Sequence, residues 1–141
     1  MSCLPPRSED NSAVNRIKFW LRLTALLTWA FALAFFSLVP NIRTPSGPLS
    51  WDKFNHFAAY AVLALLLIRA LTARYKVSLR LLGVSWLACA VYGLLLEGLQ
   101  WLMGVGRQWE PRDLLANALG ALVVCVIFRH IGMKSSVINE R

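Results

Sequence analysis

The chain has 141 residues, of which 57% are hydrophobic, and its mean hydropathy is +0.54. That composition excludes a soluble globular domain and fits a small integral membrane protein. The formal net charge of +8 does not point to nucleic acid, because the Lys and Arg residues sit at the ends of apolar runs and no folded polar domain exists to carry such a partner.

Residues 1–15 are polar, with Pro5, Pro6 and mixed charge, and read as a disordered cytoplasmic tail. Residues 19–39 give the first span, close to the roughly 20 residues needed to cross the hydrocarbon. Arg16, Lys18 and Arg22 flank its start as in a signal peptide, but the run is too long for one and no clear cleavage site follows, so it reads as a retained anchor. Pro40, Pro45, Gly47 and Pro48 then impose a loop. Ser50 is placed to cap a second span over residues 51–71, with Asp52 in its first turn, where the helix dipole favours a carboxylate.

Arg69, Arg74, Lys76 and Arg80 make a short basic loop before a third span over residues 81–103. Within that span Glu97 is the ionisable group near lipid depth, with Gln100 three residues on. Residues 104–113 turn the chain, with Pro111 suited to a first helical position, and a fourth span covers residues 114–131. Residues 133–141 read as a short cytoplasmic tail, which leaves a four-helix membrane domain over residues 16–132. Cys3, Cys89 and Cys125 cannot form a disulfide framework and have no metal-type spacing.

Counting Lys and Arg predicts the topology. Eleven lie in the N-terminal flank, the middle loop and the C-terminal flank, against four (Arg43, Lys53, Arg107, Arg112) in the other two loops. Both termini are therefore expected in the cytoplasm. Trp20, Trp51, Trp101 and Trp109 fall near span ends, as an aromatic belt requires. The expected fold is an all-α membrane protein, a bundle of four transmembrane helices.

Topology then brings distant polar residues to one outer surface: the start of the second span, the end of the third and the start of the fourth. Asp52, His56 and Tyr60 share one helical face, with Lys53 beside them. Glu97 lies roughly 9 Å below the end of its helix and His56 roughly 7 Å below the start of its own, from a rise of about 1.5 Å per residue. With Gln100, Arg107, Arg112, Asp113 and Asn117 they define a shallow cup open to the outer surface. The candidate catalytic residues are His56, Glu97 and Asp52; the candidate ligand-binding residues are Lys53, Gln100, Arg107, Arg112, Asp113 and Asn117.

A structural role is open to each of them. Asp52 and Asp113 complement helix dipoles, Lys53, Arg107 and Arg112 suit interfacial anchoring, and His56 suits a bond between helices. Ala116 and Gly120 have the small-xxx-small spacing that lets helices approach. A static network would pair Glu97 with Lys53 or Arg107, and Asp113 with Arg112.

The ordered set Asp52-Lys53, His56, Tyr60, Glu97, Gln100, Arg107, Asp113, Asn117 and Gly120, on short apolar spans, resembles the VanZ-like family over residues 40–128. The resemblance implies a multi-pass protein of the bacterial cytoplasmic membrane, in a family named for a member conferring low-level resistance to the glycopeptide teicoplanin. It implies a place in envelope biology and names no reaction.

Three functions remain in view. The cup binds or modulates an amphiphilic envelope ligand, such as a lipid-linked cell-wall precursor, a lipid headgroup or a glycopeptide-type ligand, with its cations on phosphate and its carboxylates on hydroxyls or amines. Alternatively the chain is a membrane-embedded hydrolase or transferase acting on a lipid phosphate or acyl group, with His56 as general base, Asp52 or Glu97 behind it and Arg107 stabilising developing charge. A third possibility is a small structural or transport partner subunit, without visible inverted repeats. No Gly-x-Ser-x-Gly, Walker or zinc signature occurs. Metal ligation by His56, Glu97 and Asp113 has no tight spacing behind it, so no metal and no cofactor is assigned.

Overall fold

A computed structural model describes residues 8–39, 51–104 and 110–138, with side chains described for residues 13–39, 53–104 and 110–132. Four helices make up nearly all of it: α1 (Ser8–Leu38), α2 (Trp51–Leu71), α3 (Leu79–Met103) and α4 (Pro111–Ile138). Each holds a stretch long and apolar enough to cross a membrane, namely Ala13–Leu38, Lys53–Leu71, Leu79–Met103 and Pro111–Gly132. The protein is an all-α membrane protein, as its hydropathy predicts, with no strand among the described residues.

The helix ends follow local chemistry. α3 begins two residues before the expected span because the Ser78 hydroxyl accepts from the Leu81 amide at 3.2 Å, and it stops at Gly104, which takes up φ 61°. α4 starts on Pro111, whose missing N–H costs nothing in a first turn. The expected tails shorten: α1 already begins at Ser8 and α4 runs on to Ile138. Polarity alone does not end a helix. No Pro or Gly interrupts residues 8–38 or follows Gly132, and Glu9 and Asp10 fall where the α1 dipole favours acids. The loop at residues 40–50, including the Ser50 cap, lies outside the described residues, as do residues 105–109.

α2 is the axis of the bundle. It packs against the other three helices and most extensively against α4, whereas α1 and α4 do not touch among the described residues. Gly120 makes that close approach feasible: a Cβ there would stand 2.9 Å from the Phe57 carbonyl carbon and 3.2 Å from the Ala61 nitrogen. Below it, Tyr60, Leu63, Ala64, Cys89 and Ala121 form the apolar core, continued by Ile68, Leu82 and Cys125.

The outer surface is apolar and the large side chains point away from the core: Phe31, Leu102 and Ile131 are all well exposed. This surface is what hydrocarbon requires. Among its described residues α1 contributes no fully buried side chain; Leu26, Trp29, Ala30 and Leu33 pack partly buried against the core, and hydrogen bonds add to that attachment. The Trp29 indole donates to the Ala59 carbonyl at 3.0 Å, and the Tyr92 hydroxyl donates to the Ala30 carbonyl at 2.6 Å. Trp86 donates likewise to Ala118 at 3.0 Å, joining α3 to α4. Helical carbonyls keep a second lone pair for such donors, which would otherwise lie unsatisfied in lipid.

The helices alternate in direction. Arg22 of α1 donates to the Arg69 carbonyl at the end of α2 (3.1 Å), while Gln100 near the end of α3 donates to the Ser37 carbonyl at the end of α1 (2.7 Å). The ends of α1 and α3 and the starts of α2 and α4 thus share one surface, which holds the polar residues singled out above.

Candidate functional site: a polar cluster at one end of the bundle

Glu110 immediately precedes α4 and Asp113 lies in its first turn, so two acids three residues apart stand at the helix N-terminus. Lys53, at the start of α2, reaches both. Its ammonium lies 2.6 Å from Glu110 Oε2 and makes its closest contact with Asp113 Oδ1. One cation thereby holds two carboxylates and ties α2 to α4.

One turn along α2, His56 faces the other side of Asp113. Its Nε2 stands 4.0 Å from Asp113 Oδ2, while its Nδ1 sits 3.1 Å from Asn117 Oδ1. If Nδ1 carries the proton and donates to Asn117, the lone pair of Nε2 is left facing the carboxylate. Asn117 is 1% exposed, and its amide nitrogen lies against Gly93 of α3 together with the Tyr60 ring. A Cβ at Gly93 would come within 3.0 Å of that amide, so the glycine makes room for both polar side chains.

α3 supplies the third wall. Glu97 is 6% exposed, and one donor atom each from His56, Glu97 and Asp113 lie within 4.8 Å of one another. A carboxylate, an imidazole and a second carboxylate from three helices therefore converge.

The predicted site residues divide accordingly. Lys53, His56, Glu97, Asp113 and Asn117 come together. Gln100 is buried beside them but spends its amide on the Ser37 carbonyl, so it fastens α1 to α3. Arg112 is exposed, and Asp113 pairs with Lys53 rather than with Arg112 as the static scheme expected. The reason is direction: consecutive residues on a helix point about 100° apart, and Arg112 faces away while Asp113 faces α2. Asp52 lies in the first turn of α2, but its side chain is outside the described set, as is all of Arg107.

Glu110, Gly93 and the Ser37 carbonyl are the participants that sequence reasoning did not single out. Glu110 had a readable signal, since it immediately precedes Pro111 and shares a face with Asp113. Gly93 had none beyond its small size.

The VanZ/LLP1 family model matches residues 6–133, and the chain belongs to that family. No curated protein and no solved structure matches it.

Proposed function

We propose that this VanZ-type protein works in the bacterial cytoplasmic membrane with both termini in the cytoplasm, and that its polar cluster takes the head of an amphiphilic envelope ligand from the outer leaflet. The observation that carries this reading is the convergence of Lys53, His56, Glu97, Asp113 and Asn117 from three helices at one end of an otherwise apolar bundle. Ionisable groups at that depth are costly and mark ligand or proton paths. The excess of Lys and Arg at the opposite end supports the outward orientation.

The chemistry suits a headgroup rich in hydroxyls or amines, such as that of a lipid-linked cell-wall precursor. Carboxylates and the imidazole accept from such groups, and exposed Arg112 stands at the rim for an adjoining phosphate. Lys53 is already held by two carboxylates, so it positions Asp113 rather than receiving phosphate itself. A member that sequesters a cell-wall precursor would alter glycopeptide susceptibility by degrees.

The orientation of His56 favours a second reading, in which the same site is catalytic. With Asn117 holding Nδ1, Nε2 is free to act as general base beside Asp113 and Glu97 on a lipid phosphate or acyl ester.

Cells carrying the wild-type chain, Glu97→Asp or Glu97→Gln, matched for membrane abundance, test the proposal by their glycopeptide and envelope-stress sensitivity. Abundant but inactive Glu97→Gln with partly active Glu97→Asp is the expected pattern. Two abundant variants with wild-type behaviour would remove the site from the function. An all-or-none loss for His56→Ala favours catalysis, and a graded loss favours binding.

A further inference from the structure

We infer that His56, Glu97 and Asp113 bind one divalent cation of borderline character, Mn2+ or Zn2+. Two observations meet here. The donor atoms come from α2, α3 and α4 and lie within 4.8 Å of one another. Ligands about 2.1 Å from a tetrahedral ion sit roughly 3.4 Å apart, so His56 Nε2 and Asp113 Oδ2, now 4.0 Å apart, need to close by about 0.6 Å, and no pair among the three by more than about 1.4 Å.

The far atoms of two of the three ligands are already held in the manner of a metal's outer shell. Asn117 Oδ1 meets His56 Nδ1, which leaves Nε2 directed inward; Lys53 engages Asp113 Oδ1, which leaves Oδ2 directed inward. Such partners fix the orientation and tautomer of metal ligands.

One imidazole with two carboxylates and no thiolate selects against copper(I) and suits Mn2+ or Zn2+ better than the all-oxygen preference of Ca2+. Sequence spacing concealed this set because each ligand comes from a different helix. A cation there has coordination positions left for water or a ligand oxygen, and supplies the positive charge that Lys53 has committed elsewhere. Its role in capturing an anionic headgroup rests on the reading proposed above, whereas its binding does not.

The test uses the full, tag-free chain in mild detergent, stripped with chelator, dialysed and titrated with Mn2+ followed by electron paramagnetic resonance. Mn2+ avoids the soft cysteine sites that would trap Zn2+. One equivalent per chain is expected, weakened about tenfold or more in His56→Ala, Glu97→Gln and Asp113→Asn, with helix content by circular dichroism unchanged. Arg69→Ala, exposed at the opposite end of the bundle, retains the site. Wild-type chain that takes up well under one equivalent, or folded ligand variants that bind as wild type does, overturns the site. A short-chain phosphatidic acid is then added to the loaded protein. A changed Mn2+ spectrum supports headgroup capture through the cation; an unchanged one leaves the cation site standing and removes its headgroup role.

Discussion

The two ends of this bundle carry similar residue types and treat them in opposite ways. At the α2 C-terminal end, Arg69 and Arg74 are exposed; Arg74 lies over the Phe19 ring at 4.0 Å and Arg22 donates to the Arg69 carbonyl in the last turn of α2. At the α2 N-terminal end, Lys53 is half-buried and is bridged to Glu110 and Asp113 at the start of α4, beside His56, Glu97 and Asn117. The first arrangement is what anchoring at an interface requires, since a long cation reaches water while its stem stays in lipid. The second is expensive unless each charge finds a partner, and the partners come from other helices. The charge at one end stays on the surface, and the charge at the other is gathered among three helices.

Substitutions sharpen that contrast in order of size. The largest effect is expected beneath the site, where α2 and α4 touch backbone to backbone. Gly120→Leu should separate them and cost about 3 kcal/mol or more, read as a shifted unfolding midpoint in mixed micelles, while Gly83→Ala or Gly98→Ala, which open onto empty space, should change it by less than about 0.5 kcal/mol. Equal effects at the three glycines would contradict the packing.

Next comes Lys53→Ala, which strands Glu110 and Asp113 and should cost about 2 kcal/mol by the same measurement; Glu110 is 44% exposed at its side chain, which holds the figure below that of a fully buried pair. Arg69→Ala, at the anchoring end, should cost under about 0.5 kcal/mol. A reversed order would collapse the distinction between the two ends.

Smaller again is Gln100→Leu, which removes one bond to the Ser37 carbonyl and should cost about 1 kcal/mol. Its signature is local: faster hydrogen exchange in the last turn of α1, with α2 and α4 unaffected.

Much of this was legible in the sequence. The second span matches α2 over residues 51–71, and the alternation of helices placed Lys53, His56, Glu97 and Asp113 at one surface before any coordinates. Apolar run length is a local signal, and lipid enforces it strictly. Pairing was less legible, because it depends on the rotation of each helix about its axis. Asp113 and Arg112 differ by one position, yet only Asp113 faces α2. Gln100 pointed to the site by depth but turned to α1, a contact specified by a main-chain carbonyl that leaves no trace in residue type. Helix ends at Ser8 and Ile138 escaped notice because a polar sequence without Pro or Gly is compatible with either tail or helix.

The central claim is that the buried charge at the α2 N-terminal end serves a ligand and is not there to hold the helices together. The most direct test replaces the network with apolar residues of similar size, Lys53→Met with Glu110→Leu and Asp113→Leu, and measures membrane abundance alongside rescue of envelope-stress sensitivity in cells lacking the chain. Apolar replacement of a buried ionic network is often neutral or stabilising. The account predicts a protein at least as abundant as wild type that no longer rescues; full rescue by the triple variant would contradict it.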